Sequence, residues 1–206
     1  EAELFNLRLA NNLKEAQLSN LSNQLNPHFL FNSLNNIRFM IHEDARSADS
    51  MITSLSDILR YSLESSRQNK VSVSDEMDIV RKYLAIIGTQ YDDRHAFELR
   101  MPAPLGSLLI PPMTLQMLAE NAVKHGLDQL REGGRLTVDV SVQGERLVLD
   151  VRNDAPAKGV RQHGMGIGLG NIEQRLGMLY GSNATLQANA LPGSFHVRVE
   201  LPKEHA

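Results

Sequence analysis

The 206-residue chain contains no cysteine and no tryptophan, and aromatic residues make up only 5% of it. Without cysteine it has no disulfide framework, no thiolate zinc site and no cysteine nucleophile, and the reducing cytosol is its natural compartment. The sequence shows no signal-peptide pattern and no apolar run near the roughly 18 residues that a membrane span needs. Any chemistry must therefore come from other side chains of a globular protein.

A strong charge of either sign is also missing, since 21 basic residues oppose 24 acidic ones for a formal net charge of −3. The balance holds along the chain: residues 1–70 carry 7 basic and 8 acidic side chains, and residues 71–206 carry 14 and 16. Because no basic face is available for phosphate contacts, we expect no nucleic-acid partner. With 42% hydrophobic residues, the chain can bury one full core and a second, smaller unit.

Leucines at three- and four-residue steps predict a helix from Leu4 to Leu25. The spacing is typical of a coiled-coil seam, or of an amphipathic helix packed on its own domain. Pro27 lacks an N–H, so we expect a kink just before His28. Because the chain begins at Glu1 inside this helical pattern, we expect an upstream membrane or sensor segment to be missing.

A second amphipathic helix is predicted from about Asp44 to Ser65. Two such helices make an antiparallel hairpin whose core is too small to be stable alone. Pairing two hairpins into a four-helix bundle would cover their apolar faces, so we predict a homodimer. The expected domains are this helical hairpin, residues 1–70, and a second domain, residues 71–206.

The second domain mixes helices and strands. A helix is predicted over about 74–91, with Asp75 and Glu76 as acids in its first turn. Two more are predicted, one from Pro111-Pro112 to Gly126 and one from the glycine-rich segment to Gly181. Strands are predicted over 97–101, 135–142, 146–152, 184–188 and 194–201, and the second and third of these form a hairpin about Gln143-Gly144-Glu145. This order indicates an α+β fold with helices on one face of a sheet.

A glycine-rich segment opens the last predicted helix and reads Gly164-Met165-Gly166-Ile167-Gly168-Leu169-Gly170-Asn171. Backbone N–H groups that no side chain covers can approach a phosphate at a helix N-terminus. The segment lacks the Gly-Lys-Ser/Thr ending of a P-loop and the βαβ context of a dinucleotide fingerprint. A tight loop packed against the sheet is therefore the alternative interpretation.

Polar residues also cluster near the end of the predicted helix that stops at Gly126. Asn121 and Lys124 share one helical face, with His125 beside them. An amide oxygen can ligate Mg²⁺ and a lysine can bind phosphate, although a solvated face would look the same. Further on, Asn153 and Asp154 end a strand, either as acceptors for an exocyclic amine or as part of a simple turn.

His28 lies in the segment Leu25-Asn26-Pro27-His28-Phe29-Leu30-Phe31-Asn32, with Asn32 one helical turn away on the same face. A neutral, exposed imidazole can act as a nucleophile toward a phosphoryl group. The alternative is an ordinary surface or structural histidine.

Together these segments resemble the sensor histidine kinases of the LytS type. The residues from Asn26 to Asn32 match the phosphoacceptor signature, and those from Leu55 to Leu63 match the second dimerisation helix. The residues from Ile110 to Gly126 match the N box, and those from Gly164 to Asn171 match the second glycine box. The resemblance implies a Bergerat-type α/β sandwich ATP-binding domain behind a dimerisation and histidine-phosphotransfer hairpin.

The resemblance also implies a role for each matching residue. His28 would be phosphorylated, Asn121 would contact Mg²⁺, Lys124 and His125 would approach the ATP phosphates, and the backbone of Gly164, Gly166 and Gly168 would cradle them. The first glycine box of the family usually reads Asp-x-Gly-x-Gly, whereas this chain has Asn153-Asp154-Ala155-Pro156-Ala157. We assign the adenine contact to Asn153, whose amide oxygen can still accept a hydrogen bond.

The acid that commonly follows the phosphoacceptor is replaced here by Phe29. Glu120 is the candidate general base, provided that domain motion brings it to His28. Asn32 is the candidate for orienting a water that dephosphorylates the regulator.

The implied function is ATP-dependent autophosphorylation of His28 and phosphotransfer to an aspartate of a response regulator. The protein would be the cytoplasmic portion of a bacterial inner-membrane protein. Because the first glycine box is altered, a non-catalytic dimeric docking module with a degenerate ATP site is an alternative. An ATPase or a protein-serine kinase on the same fold would leave the Pro27-His28 hairpin unexplained.

Overall fold

The computed structural model describes residues 27–65, 68–157 and 167–205. It divides into two compact units, with the boundary between Glu64 and Ser65. The predicted leucine-rich helix before Pro27, and with it the predicted kink, lies outside the described residues. Across the described ranges, no helix is both long enough and apolar enough to cross a membrane.

The first unit is a helical hairpin formed by α1 (Pro27–Glu43) and α2 (Ala45–Ser65). Asp44 alone separates the helices and caps the second one. Its carboxylate accepts hydrogen bonds from the backbone N–H of Arg46 at 3.2 Å and of Ser47 at 3.1 Å, and from the Ser47 hydroxyl at 2.6 Å. These bonds satisfy N–H groups that the first turn of a helix leaves without an intrahelical partner.

Each helix of the hairpin buries one face. The buried hydrophobic side chains are Phe29 and Ile37 on α1 and Ala48, Met51, Leu55 and Ile58 on α2. Large apolar side chains nevertheless stay exposed on both helices, namely Phe31, Leu34, Phe39, Ile41, Ile52 and Leu63. Exposed apolar side chains in such number are typical of a surface that another protein covers.

The second unit is built on a five-stranded mixed sheet. The strands of this unit, in chain order, are β1 (Val71–Ser72), β2 (Ala96–Arg100), β3 (Leu109–Ile110), β4 (Arg135–Gln143), β5 (Arg146–Asp154), β6 (Thr185–Leu191) and β7 (Ser194–Pro202). The sheet order is β2-β4-β5-β7-β6, with β2 parallel to β4 and the other neighbours antiparallel. β1 and β3 form a separate antiparallel ribbon.

The described part of this unit also contains the α-helices α3 (Val73–Gln90), α4 (Thr114–His125) and α5 (Ile167–Tyr180). The middle helix, α4, contacts β4 and β5 and also both other helices. The α+β architecture is therefore as predicted. The predicted start of α4 was wrong, because Pro111 and Pro112 lie in the turn before the helix rather than in its first turn.

Candidate nucleotide site

Helix α4 carries the polar residues predicted to bind nucleotide, and its N-terminus is capped from another helix. Its cap residue, Met113, has φ of 66° and makes no side-chain capping bond. Instead the carboxylate of Glu76 on α3, which is fully buried, accepts hydrogen bonds from three backbone N–H groups. The donors are Met113 at 2.6 Å, Leu115 at 2.9 Å and Gln116 at 3.4 Å. Such charge-assisted bonds replace the missing local cap.

The predicted phosphate-binding face occupies the last turns of α4. Glu120 and Asn121 are partly buried there, whereas Lys124 and His125 are exposed. Burial raises the pKa of Glu120 to about 6, although the side chain of Gln116, which donates to it at 3.0 Å, and the charge of Lys124 oppose that shift. Burial, followed by the charge of Lys124, lowers the pKa of His125. The face therefore combines one cation with a carboxyl group whose pKa is raised and an imidazole whose pKa is lowered.

Strand β5 ends against the C-terminal end of α4. A Cβ atom at Gly126 would overlap the Nδ2 of Asn153, so only glycine allows this approach. Asn153 is 4% exposed, and its Nδ2 donates to the carbonyl oxygen of Asp154 at 2.9 Å. Among the described residues its Oδ1 has no hydrogen-bond partner. The side-chain amide of Asn153 thus lies beside the last turn of α4, and its Oδ1 can still accept a hydrogen bond.

Asp154 lies on the opposite face of the sheet from Asn153, because successive strand residues alternate. Its carboxylate is exposed and accepts a hydrogen bond from the backbone N–H of Arg135 at 2.8 Å. Of the two candidate acceptors, only Asn153 shares a side of the sheet with α4.

The glycine-rich segment is described only from α5 onward. Gly164 and Gly166 lie outside the described residues, whereas Gly168 is in the first turn of α5. A Cβ atom at Gly168 would meet none of the described residues within 4 Å, so none of them covers the backbone there. The first N–H groups of a helix have no intrahelical partners and attract anions.

His28 belongs to the hairpin, at the start of α1, and its side chain is exposed. The Nδ2 of Asn32 lies 3.4 Å from both ring nitrogens of His28, which is a long hydrogen-bond distance. The predicted site residues are therefore divided between the two units: His28 and Asn32 on the hairpin, and the others described on the second unit.

Glu76 was missed as a functional candidate by sequence reasoning, which assigned it to the helix dipole as a first-turn acid. A signal for its actual position exists in the sequence. Glu76 falls on the apolar stripe of α3, beside Val73, Met77 and Val80, all of which are buried. An acid on a buried stripe must find hydrogen-bond donors.

The residues of α4 fit a magnesium nucleotide. The described part of the chain holds no group of three or more acidic or histidine side chains that could bind a metal ion. Asn121 offers one amide oxygen, and Mg²⁺ in nucleotide sites takes most of its ligands from phosphates and water. Lys124 and the open first turn of α5 supply the positive groups that phosphates need.

The comparisons with known proteins agree on one family. The histidine kinase family model matches residues 16–95. The chain is 30% identical to the sensor protein LytS of Enterococcus faecalis, over 93% of this chain and 35% of that protein. It is also 30% identical to the sensor histidine kinase BtsS of Escherichia coli, over 92% of this chain and 34% of that protein. The chain thus spans about a third of the length of these curated relatives.

Solved structures show the same fold. The catalytic domain of the histidine kinase ThkA matches 66% of this chain and 97% of its own, with a TM-score of 0.51 at 10% identity. The Acinetobacter baumannii histidine kinase AdeS matches 96% of both chains, with a TM-score of 0.51 at 14% identity. These likenesses confirm the predicted Bergerat-type fold. The family model and the sequence relatives show that the chain belongs to the histidine kinase family, in its LytS type.

Proposed function

We propose that this chain is the kinase portion of a two-component sensor protein, which transfers the γ-phosphoryl group of ATP to His28 and then to an aspartate of a response regulator. The observation that carries the proposal is the close approach of Gly126 to Asn153. This contact joins the helix that bears Asn121 and Lys124 to the residue that matches the adenine-binding position of the family. Both halves of a nucleotide site therefore lie on one unit.

Each described residue has a task that its surroundings allow. Asn153 accepts a hydrogen bond from the adenine amine through Oδ1, and Lys124 and His125 bind phosphate oxygens. The backbone around Gly168 binds the phosphates, and the family resemblance assigns the same task to Gly164 and Gly166, which lie outside the described residues. Asn121 would hold Mg²⁺, which when bound neutralises phosphate charge during transfer.

In the phosphoryl transfer, a ring nitrogen of His28 forms a bond to the γ-phosphorus as the bond from that phosphorus to the leaving oxygen of ADP breaks. The leaving oxygen takes the electron pair, and the imidazole must lose a proton. Glu120 is our candidate for the base that takes this proton, provided that domain motion brings it to His28, and its pKa of about 6 suits a base that works near neutral pH. Asn32 would orient a water for dephosphorylation of the regulator.

The helical hairpin is the part of the chain that would form the dimer. The exposed apolar side chains of α1 and α2 would be covered by the hairpin of a second copy, giving a homodimeric four-helix bundle. In this proposal residues 1–70 form the dimerisation and phosphotransfer domain, and residues 71–206 form the ATP-binding domain. The whole sensor would be anchored in the bacterial inner membrane, with this portion in the cytoplasm.

The test is incubation with γ-labelled ATP and Mg²⁺, comparing the wild type with His28→Gln and with His42→Gln. His42 is an exposed histidine of the same helix, so its variant is a matched control. We expect acid-labile label on the wild type and on the His42 variant, and none on the His28 variant. Acid-stable label would indicate a serine kinase, and a folded dimer that neither binds MgATP nor takes label would indicate the docking module.

A further inference from the structure

One peptide group of the second unit has both of its polar atoms bonded to oppositely charged side chains. This group joins Pro112 to Met113, just before α4. Its N–H donates to Oε1 of Glu76 at 2.6 Å, and its carbonyl oxygen accepts a hydrogen bond from the guanidinium of Arg175. Glu76 comes from α3 and Arg175 from α5, so the flanking helices hold the start of the middle helix from two directions.

Met113, the residue that follows this peptide bond, has a strained backbone conformation. Met113 has φ of 66°, in the left-handed region that a residue with a side chain rarely adopts. The conformation persists because the surrounding bonds determine it. The Glu76 carboxylate also binds the N–H groups of Leu115 and Gln116, so the direction of the first helical turn is fixed together with the peptide.

We propose that Glu76 and Arg175 are positioning residues of the nucleotide site, which set α4 relative to α5 through the Pro112–Met113 peptide. This inference rests on the proposed function. Asn121 follows Met113 by eight residues on α4, and Gly168 precedes Arg175 by seven on α5. At 1.5 Å per residue, Asn121 lies about 12 Å along α4 from Met113, and Gly168 lies about 10 Å along α5 from Arg175.

Phosphoryl transfer requires accurate positioning of the reacting atoms. A nucleotide bound between α4 and the first turn of α5 contacts groups on both helices. A displacement of about 1 Å at a reacting centre can lower a rate by roughly 100-fold. Losing the bond from Arg175 would therefore weaken the nucleotide site while the sheet and the cores of the helices stay packed.

The test compares Arg175→Met with Arg175→Lys, and Arg81→Met serves as the matched control. Arg81 is an exposed residue of α3 that forms a salt bridge with the surface acid Asp78, one turn away. For each protein we would measure the melting temperature with and without MgATP, and KM and kcat for autophosphorylation. The rise in melting temperature that MgATP causes reports nucleotide binding separately from basal stability.

We expect Arg175→Met to raise KM for MgATP at least tenfold and to abolish most of the rise in melting temperature that MgATP causes. Arg175→Lys keeps a donor for the carbonyl and should recover KM to within about threefold, and Arg81→Met should leave KM unchanged. Glu76 acts on the same peptide. The double variant Glu76→Gln/Arg175→Met should therefore raise KM over the wild type by less than the product of the increases in the two single variants.

A lower basal melting temperature in Arg175→Met, with KM and the MgATP-induced rise both at wild-type values, would show a merely structural role and overturn the inference. If Glu76→Gln does not fold, the comparison of Arg175→Met with Arg175→Lys is enough to test the positioning role. A wild-type protein that shows no MgATP-induced rise would instead overturn the proposed function, and this inference with it.

Discussion

The side-chain amide of Asn153 fills the space that a Cβ atom at Gly126 would take. The same Cβ would also lie 2.7 Å from the carbonyl oxygen of Ala122 and 2.8 Å from that of Asp154. The glycine that ends α4 is therefore required by the close approach of a strand, in addition to stopping the helix. This approach is what brings the end of β5 to the polar face of α4.

Replacing Gly126 by alanine should force α4 and β5 apart. We expect the free energy of unfolding to fall by about 1–3 kcal/mol, as for other overpacked sites, and MgATP binding to weaken. Gly177→Ala is the matched control, because a Cβ at Gly177 of α5 meets nothing within 4 Å. Since alanine favours helix over glycine, the control should be stabilised by up to about 1 kcal/mol. Urea unfolding and titration with MgATP measure both effects, and equal stability of the two variants would contradict the proposed contact.

Restoring the family's aspartate at position 153 should weaken nucleotide binding. The Nδ2 of Asn153 donates to the carbonyl oxygen of Asp154, so an aspartate would place a carboxylate oxygen against that carbonyl. Leaving a buried acceptor unpaired costs about 1–3 kcal/mol. A carboxylate that turns away from the carbonyl to avoid this cost moves the oxygen that faces the adenine amine, so we expect MgATP to bind more weakly.

The matched control for that substitution is Asp154→Asn. Asp154 lies on the other face of the sheet, and an asparagine there can still accept from the N–H of Arg135. Its affinity for MgATP should equal that of the wild type. If Asn153→Asp binds MgATP more tightly than the wild type, then the asparagine is a degenerate adenine ligand rather than one adapted to its surroundings.

The sequence predicted those parts of the second unit that depend on local pattern. Alternation and the turn at Gly144 predicted the β4–β5 hairpin, and Gly144 indeed has φ of 61° in a two-residue connection. First-turn acids predicted the start of α3 near residue 74, and the structure begins it at Val73. Each of these signals lies within a few residues of the feature that it predicts.

Features that depend on distant residues were not predicted. The bond between Glu76 and the N–H of Met113 joins residues 37 apart, and nothing near Glu76 in sequence indicates that partner. The β1–β3 ribbon has two residues per strand, too few for alternation to be visible. Pro111 and Pro112 suggested a first helical turn, but the charged side chains around the next peptide hold Met113 in a left-handed conformation that delays the helix.

Ser72 should contribute measurably to stability as the N-cap of α3. Its hydroxyl accepts a hydrogen bond from the backbone N–H of Asp75 at 3.1 Å. Removing such a cap costs about 1 kcal/mol, so Ser72→Ala should unfold at a lower urea concentration. Ser72→Thr keeps the acceptor and should recover most of the loss, and an alanine variant as stable as the wild type would show that water replaces the cap.

His95 should make the second unit less stable in mild acid. The side chain is 6% exposed, and its Nδ1 accepts a hydrogen bond from the backbone N–H of Gly134 at 3.1 Å. Burial, and then the charge of Arg94, lower the pKa of His95 below 6.5, although Asp128 partly opposes them. The unfolded chain therefore binds a proton near pH 6.5 that the folded chain does not, so the contribution of His95 to stability is present above that pH and is lost as pH falls.

Unfolding in urea at pH 7.5 and at pH 5.5 should show a larger acid-induced loss of stability in the wild type than in His95→Gln, which keeps an acceptor but does not titrate. His42→Gln, at an exposed position of α1, should behave as the wild type. An equal loss in the wild type and in His95→Gln would mean that the buried imidazole accepts a proton without cost, which its bond to Gly134 opposes because a protonated Nδ1 cannot accept.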